Sequence, residues 1–154
     1  MGELALNRGM ELFIDNIPTY WNATTPDLIS QVTQQGRVHS GNSAVNLADM
    51  AVLSQTITNI NPGCFYDFSF YARGEGDQVG LTATITFVTP TTNIEGALIT
   101  VRPQDIPDGD RGFTFYRAVT TAAPADVSSA IISFSVNANG GQSLDIDDVS
   151  FKVD

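Results

Sequence analysis

Alternation with a period of two runs through most of the chain, and it limits the fold more than any other feature. In "CFYDFSFYAR", Tyr66, Phe68, Phe70 and Ala72 fall on one face, and Asp67, Ser69, Tyr71 and Arg73 on the other. "GLTATITFV" sets Leu81, Ala83, Ile85 and Phe87 against Thr82, Thr84 and Thr86. "SAIISFSVNA" sets Ile132, Phe134 and Val136 against Ser133, Ser135 and Asn137. This is the pattern of antiparallel strands buried on one face. Between them lie turn sequences: "NPG" at 61–63, "GEGD" at 74–77, "PDGDRG" at 107–112 and "NGG" at 139–141. No stretch sustains apolar positions at helical spacing. A short helical turn is expected within Thr25–Val32, with Thr25 or Asp27 near its start.

About eight to ten strands with regular turns predict an all-β, antiparallel two-sheet sandwich of jelly-roll type. A closed barrel fits less well, because several strands are short. The 154 residues suit one domain spanning 1–154, with no linker and no internal repeat. Its opening strand, "ELALNRGMELF", and its closing strand, "LDIDDVSFKV", are expected to lie close together.

Seventeen acidic and seven basic residues give a formal charge of −10. Such a surface repels phosphate backbones and anionic lipid, so neither nucleic acid nor membrane is an expected partner. The charge does suit divalent cations. Cys64 is the only cysteine and His39 the only histidine, which leaves no disulfide and no ordinary zinc set. No apolar run reaches membrane-spanning length, and "MGELALNRG" lacks the regions of a signal peptide. His39 has no catalytic partner marked in the sequence, no pair of carboxylates is marked for glycoside hydrolysis, and "GEGDQVG" lacks the lysine and helix of a phosphate loop. The expectation is a protein that is not an enzyme.

The closing strand carries Asp145, Asp147 and Asp148 within four residues. Asp is depleted in strands, and adjacent carboxylates repel unless a cation or amide donors neutralise them. At least one of the three is therefore expected to meet an ion or donors. Asp145 is assigned to solvent. The plainer reading is that Asp145 and Asp147 face water on an edge strand and block edge-to-edge pairing, with Asp148 bonded to backbone N–H groups. Asp105, Asp108 and Asp110 lack the closing Glu of a calcium loop and read as a solvated turn.

Four segments in order, "LNRGMEL…W" (6–21), "VHSGNSAVNL" (38–47), "LSQTITNINPGCFYDFSFYAR" (53–73) and "LDIDDVSF" (144–151), give the chain a family likeness. The series resembles the galactose-binding-like jelly roll of carbohydrate-binding modules, specifically the cellulose- and xylan-binding families 4, 9 and 22. It departs from them at Met10, where an aromatic is usual, at Cys64, and in having a single Trp. The resemblance implies a structural calcium between the opening and closing strands. Its ligands would be Glu11, Asp148 or Asp147, and carbonyls near Gly9 and the 40–43 turn. An oxygen-only set of this kind is what calcium takes.

The same resemblance implies polysaccharide or oligosaccharide as partner and an extracellular or cell- or spore-surface setting. In such modules the His at position 39 is usually structural, and Trp21 is expected in the core. The expected glycan-binding face joins Ser69, Tyr71 and Arg73 to the hydroxyl rows around Thr82–Thr86 and Ser133–Asn137. Tyr71 would stack on a sugar ring, and Tyr116 and Tyr20 are further aromatic candidates. The leading reading is a non-catalytic carbohydrate-binding module with weak affinity. The alternative is a surface or spore-layer protein that uses the sandwich to form homo-oligomers without binding glycan.

Overall fold

The computed structural model describes residues 2–76, 78–103 and 112–154. The strands are β1 (Phe13–Ile14), β2 (Ile17–Pro18), β3 (Asn22–Ala23), β4 (Ile29–Val32), β5 (Ala44–Ala48), β6 (Val52–Ile57), β7 (Tyr66–Glu75), β8 (Val79–Val88), β9 (Asn93–Val101), β10 (Thr114–Val119), β11 (Ser129–Ala138) and β12 (Ser143–Val153). Among the described residues, five strands in the order β10-β7-β12-β5-β4 form one sheet, here the front sheet. Five more, β3-β6-β11-β8-β9, form the back sheet, and β1 and β2 make a small ribbon. Every pairing is antiparallel. The all-β jelly-roll sandwich expected from the alternation is the observed fold.

The core is made by the inward halves of the alternating strands. Tyr66, Phe68 and Phe70 of β7 face Phe87 of β8 and Phe134 of β11, all fully buried. Tyr66 stacks on Phe151 with ring centroids 5.0 Å apart, and Phe70 meets Phe134 edge-on at 5.0 Å. Each such ring stabilises the fold by about 1.5–3 kcal/mol through burial alone. Trp21 is in this core, 5.9 Å from Phe134. Met10, at a position where the resembled families carry an aromatic, is fully buried.

Local chemistry sets the connections. Asn61-Pro62-Gly63-Cys64 closes a turn in which Cys64 N–H donates to the Asn61 carbonyl at 3.3 Å, with Gly63 at φ +81°. Proline then glycine at the two central positions is the composition of a type II turn. The Tyr66 hydroxyl accepts the Asn61 N–H at 2.8 Å and ties this turn to the strand it feeds. The expected helical turn is a single 3₁₀ turn at Pro26–Leu28, preceded by Thr25; the rest of that stretch is β4.

The opening segment departs from expectation. It is not a continuous strand, because Asn7 and Met10 adopt φ of +48° and +52° and break the extension. It still lies beside the closing strand. Leu4 N–H donates to the Phe151 carbonyl, and Val149 N–H to that of Arg8. Inward-facing Gln55 exchanges two hydrogen bonds with the Leu6 backbone, at 2.7 and 2.9 Å, so its buried amide is satisfied.

Candidate functional site

The outer surface of the front sheet presents Asp67, Ser69, Tyr71 and Arg73 from β7. Phe115, Arg117 and Val119 lie opposite them on β10, and Asp145 and Asp147 on β12. The hydroxyl rows of Thr82–Thr86 and Ser133–Asn137 belong to β8 and β11 of the back sheet. The composite binding face expected from the sequence is therefore corrected, since the outer faces of the two sheets point in opposite directions. Alternation shows which side chains share a strand face but not which strands share a sheet.

The loop between β4 and β5, residues 33–43, folds over one end of this surface. Arg37 makes two parallel hydrogen bonds to Asp145, both at 3.0 Å. Arg73 donates to the same carboxylate at 2.6 Å, and Asn46 at 2.9 Å. Asp145 is 0% exposed, which overturns its assignment to solvent. It faces outward by alternation, but the loop covers it and four donors fill its oxygens. Arg73 is corrected with it: its side chain is 9% exposed and committed to Asp145 and Glu75, so it is not presented to a sugar.

Asp147 and Asp148 part company at a β-bulge, where the register of β12 on β7 shifts between Asp147 and Ser150. The extra residue lets Asp147 stay on the outer face while Val149 and Phe151 return to the core. Asp148 takes φ +51° and turns instead to the His39 ring and the Ser40 hydroxyl. Asp147 is fully buried and accepts the N–H groups of His39, Ser40 and Asp148, at 2.9, 3.1 and 2.9 Å. Desolvation outweighs those donors and raises its pKa from 3.8 to about 7, with the nearby Asp148 charge acting in the same direction.

Asp148 receives the Ser40 hydroxyl and lies 2.6 Å from His39 Nδ1. Glu11 accepts the N–H groups of Asn42 and Ser43 at 2.7 and 3.0 Å. Gly9 joins the two acids. A Cβ there would stand 3.7 Å from Glu11 Cγ and 3.8 Å from Asp148 Oδ1. The structure thus brings Gly9, Glu11 and Asp148 together and turns Asp147 towards the loop amides. No cluster of three or more His, Cys, Asp or Glu side chains is poised around a metal among the described residues. Asp105, Asp108 and Asp110 lie outside them.

The aromatic candidates also separate. His39 stacks on Tyr71 at 3.7 Å and covers one face of that ring, while Phe113 meets His39 edge-on at 5.5 Å. Phe115, 5.0 Å from Tyr71, is 50% exposed and is the open apolar ring of this patch. Sequence reasoning missed it, although "TFYRAV" alternates and places Phe115 with Arg117. Tyr116 is corrected: it is half-buried, stacked on core residue Phe70, on the opposite face of β10 from Phe115. Tyr20 is exposed beside β3, an edge strand of the back sheet, and is not part of the front-sheet patch.

No family model and no curated protein matches the chain. Solved structures do match it. A family 61 carbohydrate-binding module in complex with β-1,4-galactotriose superposes with a TM-score of 0.72 and 16% identity over 100% of both chains. The chain shares the jelly-roll fold of this carbohydrate-binding module. The CBM22-1–GH10 modules of Clostridium thermocellum xylanase 10B, complexed with xylohexaose, align at 0.66 and 14% identity, over 98% of this chain and 28% of that one. The enzymatically active domain of tailspike protein 4 from bacteriophage CBA120 aligns at 0.71 and 19%, over 99% of this chain and 21% of its own length. No helix in the described residues of this jelly roll is long and apolar enough to cross a membrane.

The buried carboxylate gives one expected pH effect. Its folded-state pKa lies above the unfolded value, so folding favours the protonated form of Asp147. The stability linked to this group is then greatest below about pH 4, falls as pH rises towards about 7, and is flat above that. A displacement of that size corresponds to roughly 4 kcal/mol at most. Thermal melts from pH 4 to 8 should fall more steeply for the wild type than for Asp147→Asn. Parallel profiles would show that the three N–H donors fully offset the desolvation.

Proposed function

We propose that this chain is a non-catalytic carbohydrate-binding module that holds a neutral oligosaccharide or polysaccharide on the outer face of the front sheet. The observation that carries this reading is the half-exposed Phe115 ring beside the Tyr71–His39 stack, on a jelly roll shared with galactotriose- and xylohexaose-bound modules. An apolar ring stacks on the C–H face of a pyranose. Arg117, half-exposed and paired with Asp67, and Ser69 lie next along the same face and offer hydrogen-bonding groups. One open ring supports weak binding, with Kd on the order of 10⁻⁴ M or poorer, or about −5 kcal/mol. An extracellular or surface setting accords with this reading.

A structural calcium at Gly9, Glu11 and Asp148 belongs to the same proposal. The donor set fits: it is all oxygen, and the position a Cβ would fill at Gly9 adjoins both acids. Glu11 spends one lone pair per oxygen on an N–H and keeps capacity for a cation. The ion would hold the opening segment against the bulge of β12.

Native electrophoresis through gels containing soluble β-1,4-galactan or xylan tests the binding. Retardation of the wild type, lost in Phe115→Ala, is expected. No retardation in any glycan, together with a stable oligomer by size-exclusion chromatography, would select the self-assembly reading instead.

A further inference from the structure

The loop that clamps the front sheet also shapes an open hollow of about 270 Å³, a cavity lined by Thr33, Gln35, Gly36, Val38, Gly41 and Asn42, most of them exposed to solvent. We propose that this cavity is a second carbohydrate subsite, which takes the terminal ring of a neutral glycan end-on while the Phe115 face holds the chain. The inference rests on the glycan-binding reading and adds where a chain end is recognised.

Four observations support it. The cavity is slightly smaller than the roughly 300–1,000 Å³ typical of drug-sized ligands, which suits one pyranose ring rather than a longer glycan. Its lining is a hydroxyl, two primary amides, a small apolar side chain and two glycines, with no ionisable side chain. Hydroxyls and amides both donate and accept, as sugar hydroxyls require. An anionic sugar would meet no cation there and a chain of net charge −10 around it. The side of the hollow formed by residues 37–43 is also held before any ligand arrives. Arg37 is bound to Asp145, the His39 and Ser40 amides to Asp147, the Ser40 hydroxyl to Asp148, and the Asn42 and Ser43 amides to Glu11. A loop so fixed loses little freedom when a weak ligand binds.

Two glycines give the wall its shape. Gly36, at φ +91°, has nothing within 4 Å of where a Cβ would stand, so the cavity is open at that point. Gly41, at φ +69°, lies against the Glu11 carboxylate, where a Cβ would approach to 2.7 Å. His39 follows Val38 directly and stacks on Tyr71, so the cavity and the aromatic patch share one loop.

The test is an amide NMR titration of the whole chain with methyl β-D-galactopyranoside, methyl β-D-glucopyranoside and methyl β-D-xylopyranoside, then with the corresponding tetrasaccharides. At least one monosaccharide is expected to shift Gly36, Val38, Gly41 and Asn42. Asn42→Ala or Thr33→Val should weaken that response about three- to tenfold, the effect of one hydrogen bond. The Asn42 backbone bond to Glu11 survives the first substitution, and Thr33→Val keeps side-chain shape if Asn42→Ala perturbs the loop. Leu98→Ala, on β9 of the back sheet, should leave the response of Gly36, Val38, Gly41 and Asn42 intact. Tetrasaccharide shifts confined to residues around Tyr71 and Phe115 would overturn the subsite and leave the face reading standing. No shift with any sugar would overturn both.

Discussion

Replacing Asp145 with alanine is expected to lower the unfolding free energy by about 3 kcal/mol or more, because removing one partner of a buried ion pair strands the other charge. The charge left behind is Arg73, whose side chain is 9% exposed and which, among the described residues, keeps only the half-exposed Glu75 as an ion-pair partner. Arg37 fares better: it is 22% exposed and already within 3.4 Å of Glu75. Arg37→Ala should therefore cost markedly less, since Asp145 would retain Arg73 and Asn46. For a domain of this size, about 3 kcal/mol corresponds to a fall of roughly 6–12 °C in melting temperature. Urea melts of the two variants and the wild type check the order. Equal small losses for both would show that water enters beneath the loop and that Asp145 is not a buried anchor.

Calcium should raise the melting temperature, and Asp148→Ala should abolish the rise. A ligand that binds only the native state stabilises it by RT ln(1 + [L]/Kd), about 2.7 kcal/mol at a hundredfold excess over Kd. Two segments distant in sequence would gain from the ion, namely the irregular 7–11 segment and the bulge at Asp148. Melts in EDTA with calcium titrated back would show the rise in the wild type. Asp147→Ala should retain the calcium response, because Asp147 points at the His39 and Ser40 amides. If Asp147→Ala loses the response and Asp148→Ala keeps it, the site lies on the other side of the bulge. A flat response in all three would remove the cation from the account.

The sandwich was legible because alternation reports burial directly: Tyr66, Phe68, Phe70 and Ala72 are all fully buried, as their spacing required. The site was only partly legible, and the reason is geometric. "LDIDD" shows three carboxylates but not the bulge that sends Asp147 and Asp148 to different neighbours. It also does not show Arg37, which reaches Asp145 across 108 residues of sequence. Asp145 faces outward, where a sheet residue usually meets water, and nothing in a single strand reveals that a loop will cover it. Arg73 and Tyr71 were correctly placed on one outward face, yet the same loop covers both, with Arg37 bridging to Arg73 through Asp145 and His39 lying on Tyr71. Phe115 is hard to read because Tyr116 beside it is equally aromatic, and the strand alone does not show which of the two the sheet turns inward.

Isothermal titration of the wild type, Phe115→Ala and Leu98→Ala with β-1,4-galacto- and xylo-oligosaccharides tests the central claim most directly. Leu98 is an equally exposed apolar residue on β9, in the back sheet, and serves as the control. Binding on the order of 10⁻⁴ M by the wild type and Leu98→Ala, with a loss of at least about fivefold in Phe115→Ala, is the predicted result; a lost stacking contact is worth about 1 kcal/mol or more. Equal affinity in all three proteins, or no heat from any sugar, would contradict glycan recognition on the front sheet.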